Sequence, residues 1–262
     1  MQLSYIEPDD YKSWKDYYWD YQYKLAQNYY IPLLKKWNIQ FKDKKILDIG
    51  CGNGGFTAAL ADERAICTGI EIKKFNWNIN NPNLQYIVQD ITAKDATEKI
   101  GQDFDLIILR DVIEHIPLDK KQNFLRSINR FSKEDSLVLF TFPPFYSPFG
   151  LHQQTILKTV LRLFPFLSWI PESLLYSLLK LCGEQEDTIK NIKEIKASRM
   201  TIRNFNFLLH ELKYRIKYEL YFHIRPSHNI RYGWKTIVSR MGKIPIINEI
   251  VNLGTVYLVK LN

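Results

Sequence analysis

The chain has 262 residues, and 36 Lys and Arg against 28 Asp and Glu leave a net charge of +8. With 46% apolar and 24% charged residues the composition is that of a folded globule, which excludes wholesale disorder. Three scattered cysteines, Cys51, Cys67 and Cys182, are too few for a disulfide framework or a zinc cluster, so no metal site is expected and a reducing compartment is.

Met1 to Tyr5 run straight into acidic residues, a pattern unlike a secretion signal, and the expected location is the cytoplasm. The greasiest stretch, from Ile156 to Cys182, is broken by Pro165 and Pro171 and carries Lys158, Arg162, Glu172 and Lys180. That excludes a membrane span, while leaving peripheral contact with the inner membrane face open. Two shifts of composition stand out. Twelve of the first 41 residues are aromatic, which fits a well-packed N-terminal helix. Residues 200–262 hold ten Lys or Arg and three Glu, a net +7, which suits either a solvated surface or an acidic partner.

In chain order, short apolar runs at 45–49, 65–72, 84–89, 104–109 and 136–142 read as buried strands bounded by turn residues. Between the last two, Phe124, Leu125, Ile128 and Phe131 share one helical face. The alternation implies right-handed crossovers and a parallel sheet with helices on both sides. It is interrupted from Pro143 to about Met200 by loop residues and two expected helices, the second running from Pro171 to Gly183. Thr201 is an expected N-cap for a helix bearing Phe205, Leu208, Leu209 and Leu212. Strands at 217–224 and 255–261 close the chain, giving a doubly wound, mostly parallel, seven-stranded α/β sheet. Three parts are expected: residues 1–142 as aromatic helix plus cofactor-binding half, 143–200 as a helical cap after strand five, and 201–262 as the closing half with a basic, substrate-side insertion.

The segment Ile46-Leu47-Asp48-Ile49-Gly50-Cys51-Gly52-Asn53-Gly54-Gly55-Phe56-Thr57 takes a strand through a glycine-rich turn into a helix. Glycines serve where a ligand presses on the backbone, because a β-carbon blocks the approach. Asp48 precedes the first glycine by two residues, where a carboxylate orders the loop and can meet a cationic amine. Glu71, at the end of the second strand, can accept both hydroxyls of a ribose. Asp90, just past the third strand, is placed for an exocyclic amine. Gly50, Gly52 and Gly55 also fit a dinucleotide-binding spacing, but Asp48 and the absence of any hydride-transfer apparatus argue against that reading.

These features, with Phe104-Asp105-Leu106-Ile107-Ile108-Leu109-Arg110-Asp111-Val112-Ile113-Glu114-His115-Ile116, resemble the class I S-adenosylmethionine-dependent methyltransferases, type 11-like. The resemblance implies a Rossmann-like methyltransferase fold and S-adenosyl-L-methionine as cofactor. It implies cofactor contacts from Asp48, Gly50, Cys51, Gly52, Glu71, Ile72, Asp90, Ile91 and Arg110. His115 is expected to orient its loop.

The run Phe142-Pro143-Pro144-Phe145-Tyr146-Ser147-Pro148-Phe149-Gly150-Leu151-His152-Gln153 follows the fifth strand, on the carboxyl edge where open sheets bind ligands. A hydroxyl acceptor needs a base, and His152, with Tyr146 beside it, is the candidate; the other reading is a loop histidine that caps a helix. Arg225 and Arg231 bracket the stiff turn Pro226-Ser227-His228 and are the expected contacts of an anionic acceptor. The expected activity is methyl transfer to a hydroxyl of a small or glycan-type molecule, as in bacterial surface-glycan or small-molecule O-methyltransferases. An RNA methyltransferase using the basic C-terminal region, and a catalytically silent cofactor-binding partner protein, are the alternatives. Oligomeric state is not legible.

Overall fold

A computed structural model describes residues 6–79 and 81–261. The first five residues, on which the leader reading rests, lie outside the described residues. The sheet runs β1 (Lys45–Ile49), β2 (Ile66–Glu71), β3 (Leu84–Val88), β4 (Phe104–Arg110), β5 (Ser132–Phe142), β6 (Arg215–Ile224), β7 (Ile237–Val238) and β8 (Gly254–Lys260), in the spatial order β3-β2-β1-β4-β5-β8-β6-β7. Pairing is parallel from β3 to β5, and β8 enters antiparallel between β5 and β6. The doubly wound α/β sheet is therefore mostly parallel in its core, and the two-residue β7 adds an edge strand to the seven expected. Flanked on both sides, β8 is covered on both faces, which is why Val256-Tyr257-Leu258-Val259 is a continuous apolar run instead of an alternating one.

Helices cover both faces. One hydrophobic cluster joins α1 (Trp14–Leu25), a π-helical turn Ala26–Tyr30 and α2 (Ile31–Lys36) to α3 (Gly55–Asp62) and one face of the sheet. On the other face, the short α4 (Ala96–Ile100), α5 (Lys121–Ile128) and the later α9 (Ile202–Glu211) pack Ile100, Leu125, Ile128 and Phe205 against β4, β5 and β8. Thr201 is the N-cap of α9, its hydroxyl accepting from the Asn204 amide at 3.0 Å.

Residues 143–200 hold α6 (Gln153–Ile156), α7 (Glu172–Leu181) and α8 (Glu186–Ser198), and enclose a hydrophobic cluster of their own that includes Phe145, Leu161, Leu175, Leu179, Ile189 and Ile192. Each such side chain contributes roughly 1.5–3 kcal/mol on burial. The apolar run 156–164 forms only a 3-10 turn at Val160–Leu163. The Glu184 carboxylate accepts from the Lys158 and Thr159 amides and the Thr159 hydroxyl (2.6–3.0 Å to Oε1), which pins the backbone extended before Pro165 stops the turn. The charged α8, with Ile189, Ile192 and Ile195 on one face, stands where the sequence predicts loop. Between β6 and β8 come α10 (Pro226–Tyr232) and α11 (Ile247–Val251). Among the described residues, no helix is long and apolar enough to cross a membrane.

Candidate functional site

The carboxyl ends of β1, β2, β4, β5 and β6 and the start of β8 open on one cavity of about 460 Å³. This is the edge where open α/β sheets bind ligands. Gly50, Cys51, Gly52 and Glu71 form one part of its wall, and Trp14, Tyr18, Tyr21 and Gln22 of α1 another. Arg110 and Asp111 come from the end of β4, Phe149 and His152 from the segment after β5, and Arg225 and Arg231 from the end of β6 and α10.

The glycine loop is built for close approach. Gly50 and Gly52 both take left-handed backbone (φ 74° and 55°), and a β-carbon on Gly50 would lie 2.5 Å from Val112 Cγ2. A β-carbon on Gly52 would meet nothing within 4 Å, so its α-carbon faces open cavity. Glu71 Oε2 accepts from the Gly52 amide at 3.2 Å and Oε1 from the Ile72 amide at 2.8 Å. The carboxylate thereby ties the loop to β2 while still lining the cavity. Trp77, which the sequence reading passed over, donates to the Gly52 carbonyl at 2.8 Å and stacks on Tyr86, whose hydroxyl donates to the Gly54 carbonyl. A glycine turn with an acceptor carboxylate beside it fits a ribose-bearing cofactor.

The other expected cofactor residues are placed differently. Asp48 lies beneath the loop, buried, accepting from the Thr57 hydroxyl at 2.6 Å. Burial raises its pKa to about 6, against the downward pull of Thr57 and Arg110. Asp90 Oδ1 accepts from the amide and hydroxyl of Thr92, Ile91 is buried and Ile72 exposed; none of these four lines the cavity. Arg110 lines it, donating to Gln22 Oε1 and lying over the Phe56 ring at 4.6 Å. Burial raises the Cys51 thiol far above its usual range, so it is no nucleophile.

Of the two expected acceptor contacts, Arg225 is engaged. Its Nη2 donates to both Asp111 carboxylate oxygens (2.6 and 2.5 Å), and Asp111 also accepts from the Thr141 hydroxyl at 2.9 Å. Burial alone would raise the Asp111 pKa, but Arg225 and Arg110 hold it well below the ordinary carboxylate range. Arg231 lies over the rings of Tyr21 (5.5 Å) and Tyr232 (5.4 Å), and among the described residues no carboxylate pairs with it.

His152 occupies the N-cap position of α6 with left-handed backbone (φ 54°), and the backbone of Asp111 is left-handed too (φ 55°). The His152 carbonyl caps the helix; its ring is turned to Glu114, with Nε2 3.4 Å from Oε1, and lies 5.3 Å from the His115 ring. Glu114, His115 and His152 thus come together from two loops, although no spacing in the chain announced the cluster. Tyr146 is not brought to this cavity. It is partly exposed, packed on Phe145 and Trp169, and lines a separate groove with Leu118 and Ile246.

The family model described as a methyltransferase domain matches residues 18–181, which carry the glycine loop, Glu71 and the Glu114–His152 corner. The chain belongs to the class I S-adenosylmethionine-dependent methyltransferases. As a member of that class, the chain takes S-adenosyl-L-methionine as its cofactor. It is 28% identical over 120 residues to the ubiquinone biosynthesis O-methyltransferase of Pseudomonas fluorescens (strain Pf0-1), covering 42% of this chain and 50% of the relative. A Saccharophagus degradans protein of the same name is 34% identical over 85 residues, covering 30% of this chain and 35% of its own. The chain spans about half the length or less of these curated relatives. A solved Lactococcus lactis structure, described as a hemolysin, matches at 12% identity with a TM-score of 0.51, over 91% of this chain and 86% of its own, a likeness of fold alone.

Proposed function

We propose that this methyltransferase moves a methyl group from S-adenosylmethionine to a hydroxyl of a small, anionic acceptor, with glycan-type molecules within the class. The observation that carries this reading is one shared cavity, walled by the Gly50–Gly52 loop and Glu71 and also by His152 and Arg231. The names of the Pseudomonas and Saccharophagus relatives support oxygen as the acceptor atom. The cofactor supplies an activated methyl group on a sulfonium, so the protein's share is alignment, exclusion of water and removal of the acceptor proton. Glu71 accepts from the ribose hydroxyls, Arg110 and α1 close the cavity, and residues 143–200 cap its mouth. Arg231, spread over two tyrosines and without an acidic partner among the described residues, takes the acceptor's carboxylate or phosphate. Arg225 positions Asp111. The acceptor hydroxyl lies at the corner of Glu114, His115 and His152, where its proton leaves.

The experiment is turnover on a panel of hydroxylated carboxylic acids, phosphates and nucleotide sugars, with methylated product read by mass spectrometry. His152→Ala lowers turnover by roughly 10²–10⁴ and leaves S-adenosylhomocysteine affinity unchanged. Arg231→Ala raises the acceptor KM and flattens its dependence on ionic strength, with little change in kcat. Normal turnover in the first variant, or a salt-independent KM that the second leaves untouched, overturns the respective assignment.

A further inference from the structure

Glu114 is 2% exposed, and among the described residues nothing lies within hydrogen-bonding geometry of either carboxylate oxygen. A buried carboxylate in that state is costly, and such groups are paired, neutralised or metal-bound. The fully buried Lys121 is already spent. Its three ammonium donors go to the Ile113 carbonyl (2.7 Å), the Ile116 carbonyl (2.5 Å) and the Ser198 hydroxyl (2.6 Å). His152 Nε2 is likewise buried without a hydrogen-bond partner, and its 3.4 Å from Glu114 Oε1 is long for a charge-assisted hydrogen bond, which runs about 2.7–2.9 Å. The same separation is what two ligands show on a shared ion. Donors at about 2.0–2.2 Å from a zinc-sized cation in tetrahedral array sit roughly 3.3 Å from one another. A ring nitrogen of His115 completes the set, the three donor atoms lying within 4.8 Å of one another, and both histidines line the cavity.

We infer that Glu114, His115 and His152 bind one divalent first-row transition ion, of the zinc class, at the acceptor end of the cavity. Two imidazoles and a carboxylate select such an ion over magnesium or calcium, which prefer oxygen ligands. Three protein ligands leave a position open, the arrangement of catalytic metal sites. This assignment rests on the methyl-acceptor reading of the same cavity and specifies how it works. The acceptor oxygen takes the open position, where the ion lowers its pKa and fixes its direction of attack. The hydroxyl proton passes to solvent; the O–CH₃ bond then forms as the S–CH₃ bond breaks, giving the methyl ether and S-adenosylhomocysteine. His152 is then a ligand, and its loss removes turnover by removing the ion.

The test uses the full-length protein stripped with a chelator and titrated with Co²⁺, whose visible spectrum reports nitrogen and oxygen ligands, and with Zn²⁺ by calorimetry. The expected result is one ion per chain. Glu114→Gln and His152→Gln should each weaken binding by more than the roughly 10–100-fold that loss of an outer-shell partner costs. Zn²⁺ should raise the Tm of wild type alone, since only a protein that binds the ion is stabilised by it. S-adenosylhomocysteine binding serves as the fold check, because these side chains stand outside the glycine loop. Absence of saturable Co²⁺ and Zn²⁺ binding, or equal binding by both folded variants, overturns the inference while leaving the methyltransferase reading intact. Full turnover by the stripped enzyme in chelator overturns the ion's catalytic part and returns proton removal to His152 itself. Metal binding with no methylated acceptor sinks the acceptor reading, and with it the role given to the ion.

Discussion

Glu71 does two things with one carboxylate: it ties the glycine loop to β2 through the Gly52 amide, and it presents its remaining lone pairs to the cavity. Truncation removes charge-assisted hydrogen bonds, so Glu71→Ala should weaken S-adenosylhomocysteine binding by about 1.5–3 kcal/mol in calorimetry. An indifferent variant would refute the role given to Glu71, and tight NADH binding would revive the dinucleotide reading. His228 carries a different kind of consequence. Burial, then the positive charges of Arg225 and Arg231, push its pKa from 6.5 down to about 3. The folded chain keeps this imidazole neutral, whereas the unfolded chain protonates it below about pH 6.5. Its contribution is thus fully present above pH 6.5 and is lost as pH falls toward 3, at a slope of at most about 1.4 kcal/mol per pH unit. Denaturant midpoints at pH 7 and pH 5 should separate by less in His228→Gln than in wild type. Equal separations would show that His228 does not contribute to the acid sensitivity.

At the scale of elements, the contact between α1 and α3 decides whether the cavity has an aromatic wall. A β-carbon on Gly55 would fall 2.2 Å from the Trp19 carbonyl oxygen, a backbone atom that cannot swing aside. The glycine lets the backbone of α1 press on the first turn of α3, which brings Tyr18, Tyr21 and Gln22 to the cavity. Gly55→Ala should therefore cost about 1–3 kcal/mol of stability by overpacking and also weaken cofactor binding, as α1 is displaced. Unchanged Tm and affinity would show that α1 yields freely. The same glycine explains the ambiguity of Gly50, Gly52 and Gly55 in sequence: its spacing suits a dinucleotide motif, yet in this fold it accommodates a neighbouring carbonyl. Helix α8 stayed hidden for a related reason. Its apolar residues Ile189, Ile192 and Ile195 are few among charges, and the cluster with Leu175 and Leu179 is what makes them a buried face.

Across the whole molecule, the sequence by itself determined the parallel core, the glycine turn and the carboxylate at the end of β2. These are local signals: a buried strand is a short apolar run, and a turn that must approach a ligand is rich in glycine. It also located residues 143–200 as an interruption of the sheet's alternation. Only the tertiary structure decided which distant residues meet. Arg225 is paired to Asp111 across 114 positions, so the charge that read as free for a substrate is already neutralised, and the acceptor contact we propose falls to Arg231 alone. Tyr146, six residues from His152, is turned into a separate groove by its packing on Trp169. Glu114, His115 and His152 carry no recognisable ligand spacing, because one loop after β4 and another after β5 bring them together in space. Short-range chemistry is written along the chain; charge compensation and the convergence of distant side chains depend on the closure of long loops, and only the packed fold brings such groups within a few ångströms.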